Sequence, residues 1–359
     1  GAEVDWLDKK KVKIRAKDIN PENIQKETVS RLRSSVLLLG PLLARFDEIK
    51  MPRPGGCLIG ARSLDTHLAA FEKLGIKVKQ DQNFYYFKRK ELKGKPITLR
   101  EFSVTGTENI LMAACLAPGK TQVKLAAAEP YIQDLALFLN NMGAQIKGAG
   151  QHTLEIDGVD KLKGANHHLI YDPIEAGTFL IMAAATKSRL KIKNACHQYL
   201  DAVLMKLKEM GVDLEIVGED IKVIPSSKLT AAKVTTLIYP GIPTDLQAPF
   251  GVLATQAEGT SLIHDTLYEG RLKYIDELNK MGANAIICDP HRALITGPTP
   301  LYGSNISSFD LRAGATLIIA ALVAQGRSEI AQAYQVDRGY EAIEKRLQAI
   351  GANINRQEI

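Results

Sequence analysis

The sequence predicts an α/β protein that is built from repeated units and divided into two domains. Its 359 residues are enough for two domains of ordinary size. A short phrase, in which a helix-like segment meets a glycine and then a strand-like segment, occurs five times at intervals of about 70 residues. A strongly apolar segment precedes each phrase. Each unit therefore supplies one buried helix, one amphipathic helix and several strands.

The repeated phrase places a glycine at the end of an amphipathic helix. Its copies are FEKLGIKV, LNNMGAQI, LKEMGVDL, LNKMGANA and LQAIGANI, with glycines at Gly75, Gly143, Gly211, Gly282 and Gly351. Glycine is favoured there because the residue after a helix often adopts a left-handed backbone, which a Cβ opposes. We expect a short alternating strand after each glycine, as in AQIKG and ANINR.

The apolar segments are apolar on nearly every side. They read RSSVLLLGPLLARF, TENILMAACLAPGKT, GTFLIMAAATKS, DLQAPFGVLATQAEGT and RAGATLIIAALVAQG. A helix that is hydrophobic all round must be buried all round. We therefore expect these helices at the centre, with sheets and amphipathic helices outside them.

The domain organisation follows from the number of units. The opening GAEV resembles the ending GANI, so we expect the chain to start at the tail of a sixth unit. Six units divide into two domains of three, and the break is expected near NHHLIYDP. The predicted domains are residues 1–169, which lack the start of one unit, and residues 170–359.

Charge and cysteine usage limit the classes of function. The net charge of +6 is mild, and no long block of like charges occurs, so we expect no nucleic-acid or membrane partner but rather a positive pocket for a small anionic substrate. The scattered Cys57, Cys115, Cys196 and Cys288 favour a reducing compartment and a soluble, cytoplasmic protein. Because the seven histidines lack metal-ligand spacing, we assign no metal and no cofactor.

Four of the buried helices begin in polar loops that suit anions. These loops are FSVTGTEN, DPIEAGT, IPTDLQ and FDLRAGA. Unpaired N–H groups and the helix dipole make each helix start a candidate anion site, although ordinary N-capping explains the same residues. If the two domains face one another, several starts would converge on one cleft.

Three residues of these loops, Asp245, Asp310 and Arg312, can each be interpreted in two ways. Asp245 is either a helix N-cap or a general base that faces the cleft. Asp310 and Arg312 are either an ion pair or part of an anion clamp. Arg338, judged alone, is a surface residue.

The segment PRPGGCLIGARSLDTHL, residues 52–68, places Cys57 between Arg53 and Arg62. Its glycines suit a lid, and the nearby positive charge lowers the pKa of a thiol and favours its reactivity. The alternative is an ordinary loop cysteine. The other cysteines, such as Cys115 within an apolar helix, are expected to be small core residues.

The cysteine segment PGGCLIGARSLDTHL resembles the cysteine loop of the UDP-N-acetylglucosamine 1-carboxyvinyltransferase family. These enolpyruvyl transferases carry out the first committed step of peptidoglycan synthesis. The resemblance continues in order through SSVLLLGPLLARF, AEPYIQDLALFLNNMGA, IEAGTFLIMAAA, PTDLQAPF, DLRAGATL and VDRGYEAIEKRLQAIGANI. It implies a two-domain inside-out α/β barrel of βαβαββ repeats, the enolpyruvyl transferase fold.

The resemblance also implies roles for matching residues. Cys57 would be the lid cysteine that donates a proton to the enol carbon, and Asp245 would be the base at the sugar 3′-hydroxyl. Arg338 would act in catalysis by holding phosphoenolpyruvate, together with Arg62. The remaining substrate-binding residues, which would hold phosphoenolpyruvate and UDP-N-acetylglucosamine, are Arg33, Ser63, Leu64, Asp65, Thr66, Ser103, Val104, Thr105, Leu267, Asp310 and Arg312.

Two departures from the family and two alternatives accompany this prediction. A Lys-Asn pair that helps to bind phosphoenolpyruvate lies upstream of Gly1 in the family. The family's SVGAT segment reads SVTGT here, so its glycine is displaced by one residue. The alternatives are the shikimate-pathway enolpyruvyl transferase, which the Cys57 loop disfavours, and a non-catalytic relative that binds a nucleotide sugar.

Overall fold

The computed structural model describes residues 1–55 and 63–357. These residues form two compact units, of which the first ends at His168 and the second begins at Leu169. The assignment of three repeats to each unit stays a prediction. Within the described part of the chain, no helix has both the length and the apolar character that a membrane crossing requires.

The first unit contains helices and short strands in alternation. Its helices are α1 (Lys26–Arg31), α2 (Leu39–Arg45), α3 (Asp65–Lys73), α4 (Val104–Ala114) and α5 (Pro130–Asn141). Its strands are β1 (Glu3–Asp8), β2 (Lys11–Arg15), β3 (Glu48–Pro52), β4 (Ile76–Gln80), β5 (Phe84–Arg89), β6 (Pro96–Ser103), β7 (Lys120–Ala126), β8 (Gln145–Lys147) and β9 (Thr153–Asp157). Short 3₁₀ helices span Pro21–Asn23 and Arg33–Leu38.

The second unit continues the alternation. Its helices are α6 (Pro173–Ala185), α7 (Asp201–Glu209), α8 (Gln247–Thr255), α9 (Tyr274–Lys280), α10 (Leu311–Val323) and α11 (Ile343–Ala349). Its strands are β10 (Leu190–Ile192), β11 (Asp213–Val217), β12 (Asp220–Ile224), β13 (Lys233–Thr235), β14 (Gly259–His264), β15 (Asn284–Asp289), β16 (Arg292–Gly297), β17 (Asn305–Ser307) and β18 (Glu329–Ala331). The 3₁₀ helices are His197–Tyr199, Thr244–Leu246, Arg271–Lys273 and Ala333–Arg338.

The same sheet topology occurs in both units. The three-stranded sheets have the orders β3-β5-β4 and β10-β12-β11, and both are antiparallel. The four-stranded sheets have the orders β6-β7-β9-β8 and β13-β14-β16-β15, and in each the first pair is parallel. Parallel neighbours need a crossover connection, which α4 and α8 provide. In the same way, α10 connects the parallel pair β17 and β18.

Burial of the apolar helices confirms the central prediction from the sequence. All nine residues of α8 are buried, as are twelve of the thirteen residues of α6. Helices α2 and α4 lie in the first unit, and α6, α8 and α10 lie in the second. The first of the five apolar segments differs from a single α-helix, because residues 33–38 form a 3₁₀ helix before α2. Pro41 lacks the N–H that a continuous α-helix would use at this point.

The predicted left-handed glycines are confirmed at all five positions, with φ between 83° at Gly211 and 99° at Gly143 and Gly351. A strand follows the first four of them. The strand predicted after Gly351 is wrong, since the described residues 352–357 pair with no strand of the described chain. At the other end, β1 pairs with β2 in a hairpin whose residues are all exposed.

Close packing at Gly251 gives a stability prediction. A Cβ on this α8 residue would lie 2.3 Å from Oη and 2.8 Å from Cε2 of Tyr274, a ring that is fully buried. We expect Gly251→Ala to lower the free energy of unfolding by about 1–3 kcal/mol, because overpacking outweighs the helix propensity that alanine gains. Urea denaturation followed by circular dichroism measures this change.

Gly164→Ala is the matched control, because a Cβ placed there would have no heavy atom of the described chain within 4 Å apart from those of residue 164 and its two chain neighbours. It should leave the free energy of unfolding within about 0.5 kcal/mol of the wild-type value. A Gly251→Ala protein as stable as this control would contradict the packing of Tyr274 against α8.

Candidate active site

The described residues contain most, but not all, of the predicted site. Cys57 and Arg62 lie outside them, so the roles assigned to these two residues stay predictions. The remaining predicted residues fall into one group in each unit. The group in the second unit carries the stronger electrostatic interactions.

Asp245 lies between two arginines in the second unit. Its Oδ1 accepts a hydrogen bond from Arg312 Nε at 3.1 Å and another from Arg271 Nη2 at 3.3 Å. The 3₁₀ helix before α8 carries the aspartate, the first turn of α10 carries Arg312, and the 3₁₀ helix before α9 carries Arg271. The side chains of Arg271 and Arg312 are only 10% and 14% exposed, whereas 30% of the Asp245 side chain is exposed.

This arrangement keeps Asp245 ionised. Burial alone would raise the pKa of the carboxyl group, but the guanidinium charges of Arg271 and Arg312, and the hydrogen bonds they donate, hold that pKa below its usual value. Burial acts against the charge of Arg312 as well, yet Asp245 and Tyr340 raise its pKa overall. The carboxylate is therefore a weak base while both arginines face it.

The capping interpretation of Asp245 is wrong. The N-cap position of α8 is Leu246, and Asp245 sits within the preceding 3₁₀ helix. Its carboxylate instead accepts charge-assisted hydrogen bonds from two guanidinium groups.

The ion-pair interpretation of Asp310 and Arg312 is also wrong. Asp310 caps α10, because its Oδ1 accepts from the backbone N–H groups of Arg312 at 2.7 Å and Ala313 at 3.0 Å. Its short side chain is thus engaged by the backbone, while the longer Arg312 side chain reaches Asp245.

Tyr340 connects this cluster to two further elements. Its hydroxyl accepts from Arg312 Nη1 at 3.1 Å and lies 2.7 Å from Thr178 Oγ1 of α6. The ring is fully buried and fixes the end of the segment that carries Arg338. Arg338 itself is exposed, and its Nη1 donates to Gln335 Oε1 at 3.3 Å.

Leu267 is placed by a buried aspartate. Asp265 Oδ1 accepts from the N–H groups of Leu267 at 2.9 Å and Tyr268 at 3.0 Å. Its Oδ2 accepts from Thr244 Oγ1 at 2.5 Å, in the 3₁₀ helix that also carries Asp245. The loop of Leu267 is therefore tied directly to the aspartate cluster.

In the first unit, the predicted nucleotide-binding residues surround the start of α3. Arg33 Nη2 donates to the carbonyl oxygen of Ser63 at 3.3 Å, and Ser63 Oγ accepts from the Asp65 N–H at 2.9 Å. Leu64 is buried at the N-cap position of α3. Thr66 is buried as well, and its hydroxyl donates to Glu101 Oε1 at 3.1 Å.

The start of α4 supplies the rest of this group. Ser103 caps the helix by accepting from the Gly106 N–H at 3.2 Å, and Val104 is its first residue. Thr105 Oγ1 lies 3.1 Å from His67 Nε2. Together with Asp172 at α6 and Asp310 at α10, Ser103 confirms the capping interpretation for three of the four polar loops.

Several residues of these groups were missed from the sequence, chiefly Arg271, Tyr340, His67 and Asn109. Arg271 lies before an amphipathic helix, and Tyr340 lies beyond the last buried one, so neither belongs to a polar loop at the start of a buried helix. His67 lies in the cysteine segment that carries the family resemblance, and Asn109 lies at the end of the polar loop FSVTGTEN, but only their contacts distinguish them from ordinary helix residues.

The described cysteines differ from one another. Cys115 is fully buried, which confirms the core prediction, and burial raises the pKa of its thiol to about 12. Cys196 is buried too, but Cys288 on β15 is exposed, so the core prediction is wrong for it. Within the described ranges, no group of three or more His, Cys, Asp or Glu side chains is arranged to hold a metal.

Comparison with known proteins gives long matches. The family model described as EPSP synthase (3-phosphoshikimate 1-carboxyvinyltransferase) matches residues 1–347. The UDP-N-acetylglucosamine 1-carboxyvinyltransferase of Helicobacter pylori strain P12 is 45% identical over 359 residues, which cover 99% of this chain and 85% of the relative. The enzyme of the same name from Koribacter versatilis is 45% identical over 338 residues, which cover 94% of this chain and 78% of the relative.

Two solved structures share the fold. The enolpyruvyl transferase NikO from Streptomyces tendae superposes with a TM-score of 0.82 at 23% identity, over 92% of this chain and 78% of NikO. EPSP synthase from Acinetobacter baumannii gives a TM-score of 0.66 at 22% identity, over 88% of this chain and 76% of that enzyme. The predicted enolpyruvyl transferase fold is thus confirmed. With the curated relatives, it shows that the chain belongs to the UDP-N-acetylglucosamine 1-carboxyvinyltransferase family, within the wider family that the EPSP synthase model describes.

Proposed function

We propose that the protein transfers the enolpyruvyl group of phosphoenolpyruvate to the 3′-hydroxyl of UDP-N-acetylglucosamine and releases phosphate. The observation that carries this proposal is the 45% identity to the Helicobacter pylori enzyme over 85% of its length. The reaction is the first committed step of peptidoglycan synthesis in the family. The scattered thiols support a place in the bacterial cytoplasm.

The arginines of the second unit suit the anionic substrates. Arg271 and Arg312 each donate one hydrogen bond to Asp245, and a guanidinium group carries more N–H donors than these contacts use. Planar arginine donors match the oxygen geometry of phosphate and carboxylate groups. We therefore assign phosphoenolpyruvate to this cluster, with Arg338 as a further ligand.

The low pKa of Asp245 defines how this residue can act as a base. While two arginines face it, the carboxylate holds a proton poorly. A bound phosphoenolpyruvate would bring negative charge to the same arginines, and negative charge nearby raises the pKa of a carboxylate. Binding of the anionic substrate would thus prepare Asp245 to accept the proton of the sugar hydroxyl.

The reaction then proceeds by addition and elimination. The 3′-hydroxyl loses its proton to Asp245 as its oxygen bonds to C2 of phosphoenolpyruvate, and C3 takes up a proton from Cys57. The tetrahedral intermediate loses phosphate, and C3 gives up a proton to form the enol ether. The residues around α3 and α4, from Arg33 to Thr105, would hold the nucleotide.

A second candidate acceptor follows from the family model, whose description names 3-phosphoshikimate. Phosphate release from phosphoenolpyruvate distinguishes the two acceptors directly. We expect release by the full-length protein with UDP-N-acetylglucosamine and none with shikimate 3-phosphate. Release with the shikimate substrate alone would refute the proposed acceptor. Binding of the sugar nucleotide without phosphate release would indicate a non-catalytic relative.

Asp245→Asn tests the base. The amide keeps the shape of the side chain and can still accept hydrogen bonds, but it cannot take the proton of the sugar hydroxyl. We expect the rate of phosphate release in the full-length protein to fall by roughly 10²–10⁴-fold. Binding of UDP-N-acetylglucosamine should change much less. Asp289→Asn, which alters an exposed pair with Arg292, should keep the wild-type rate.

Near-normal turnover by Asp245→Asn would show that another group removes the proton. The role of Asp245 would then be confined to ordering Arg271 and Arg312.

The lowered pKa of Asp245 predicts that the stability difference between the wild type and Asp245→Asn depends on pH. Because the folded pKa of Asp245 lies below its usual value, its ion pairs stabilise the protein above the ordinary carboxyl range, and this stabilisation is lost as pH falls through the folded pKa. At pH 7, Asp245→Asn should therefore lower the free energy of unfolding by about 1–3 kcal/mol. Urea denaturation at pH 7 and at about pH 3 should show this difference shrinking in acid. A difference that is constant with pH would contradict the ion pairs.

Cys57 is predicted to be the thiol that reacts with fosfomycin, an epoxide that mimics phosphoenolpyruvate and alkylates the lid cysteine in the family. Mass spectrometry of the full-length protein treated with fosfomycin in the presence of the sugar nucleotide should find the adduct on Cys57. Cys288 is the internal control, because it is exposed but has no predicted substrate nearby. Labelling confined to Cys115, Cys196 or Cys288 would refute the assignment.

A further inference from the structure

The SVTGT segment places a hydroxyl where the family's SVGAT segment has a glycine. The residue concerned is Thr105, near the start of α4 and half-buried. Gly106, which follows it, leaves room for the cap, since a Cβ there would lie 2.9 Å from Ser103 Oγ. The displaced glycine therefore preserves the helix cap and adds the Thr105 hydroxyl beside it.

A buried amide at Asn109 has a fixed orientation. Its Oδ1 accepts from the Gly40 N–H at 2.7 Å, and its Nδ2 donates to the carbonyl oxygen of Val36 at 3.1 Å. Exchange of the amide oxygen and nitrogen would oppose donor to donor and acceptor to acceptor. The surrounding packing is also tight, because a Cβ on Gly40 would lie 2.6 Å from the backbone carbonyl oxygen of Asn109 and 3.0 Å from its Oδ1. The 3₁₀ helix Arg33–Leu38 and α2 thus hold this amide in one orientation.

The oriented amide determines the state of His67. Asn109 Nδ2 lies 3.0 Å from His67 Nδ1, and because an amide nitrogen only donates, Nδ1 must accept. The ring proton is therefore on Nε2, which lies 3.1 Å from Thr105 Oγ1. Burial of the ring and the charge of Arg33 lower the pKa of His67 to about 4, so the imidazole is neutral under ordinary conditions.

We propose that Asn109 and His67 act as positioning residues that make the Thr105 hydroxyl a hydrogen-bond donor to a diphosphate oxygen of the bound nucleotide. His67 Nε2–H donates to Thr105 Oγ1, and the hydroxyl proton is then directed to another acceptor. This inference rests on the proposed function, which places the nucleotide beside Ser103, Val104 and Thr105.

The diphosphate is the part of the nucleotide that suits this hydroxyl. Phosphate oxygens only accept hydrogen bonds, and the backbone N–H groups in the first turn of an α-helix favour negative charge. A threonine hydroxyl without the His67 contact could accept or donate equally well. With Nε2–H donating to it, the hydroxyl favours an acceptor and disfavours a donor such as an amine.

The test compares binding of UDP and of uridine to the full-length protein by calorimetry. Thr105→Val keeps the shape of the side chain but removes the hydroxyl. We expect it to weaken UDP binding by roughly tenfold to a hundredfold, the effect of a hydrogen bond to a charged group, and to leave uridine binding unchanged. Thr105→Ser retains the hydroxyl and should restore wild-type binding. Equal loss for UDP and uridine, or no loss for either, would overturn the proposal.

The chain of hydrogen bonds from Asn109 through His67 to Thr105, called the relay below, can be observed in the nitrogen NMR spectrum of His67. The wild-type ring should show the neutral form with its proton on Nε2 from pH 6 to 8. Asn109→Asp replaces the donating nitrogen with an acceptor, so Nδ1 should carry a proton. If the ring stays neutral, the proton has moved from Nε2 and UDP binding should weaken as in Thr105→Val. If the new carboxylate makes the ring an imidazolium, Nε2–H is kept and UDP binding should match the wild type. A wild-type ring protonated on Nδ1, or an Asn109→Asp protein that moves the proton yet binds UDP normally, would overturn the relay.

Loss of the proposed activity and loss of the Thr105 positioning role would give different results. If the wild-type protein neither binds UDP-N-acetylglucosamine nor releases phosphate with it, the proposed function falls, and this proposal with it, before any variant is made. If wild-type binding and turnover are normal but Thr105→Val binds UDP as tightly as Thr105→Ser does, the positioning role alone is refuted.

Discussion

Burial of the central helices constrains the chemistry of both units. A helix that is enclosed on nearly all sides, such as α6, cannot rely on water alone to satisfy the N–H groups of its first turn. Polar side chains must do so, and Ser103, Asp172 and Asp310 cap their helices in this way. Polar side chains are thus required at the ends of apolar segments, and these ends are where the candidate site residues lie.

The loop before α8 departs from this pattern, and the departure has a physical cause. Its aspartate is engaged by guanidinium groups from two other segments, so its charge is balanced by side chains rather than by the helix start. Removal of either arginine would leave a partly buried charge with less compensation. The cluster is therefore interdependent, and Tyr340 extends it by hydrogen bonds to α6 and α10.

Local features of the fold could be predicted from the sequence, because their causes lie within a few residues. The left-handed glycines end the helices that directly precede them, and the composition of the apolar helices predicts that they are buried. The partners of Asp245 could not be predicted, since Arg312 is 67 residues away in the chain. Similarly, the residues after Gly351 can form a strand only beside a partner strand, which the local sequence cannot predict. The exposure of Cys288 depends on which face of β15 is covered. The family resemblance identified many site residues, but not the contacts that orient them.

The β1–β2 hairpin has an optical consequence. Trp6, the only tryptophan in the sequence, lies on this hairpin with 69% of its surface exposed. Its emission already reflects an aqueous environment. The emission should therefore change little when the hydrophobic core within each unit unfolds. The buried rings of Tyr274 and Tyr340 are better placed to sense that event. Intrinsic tryptophan fluorescence will therefore report on the hairpin, whereas the loss of the second unit's core must be followed through its tyrosines.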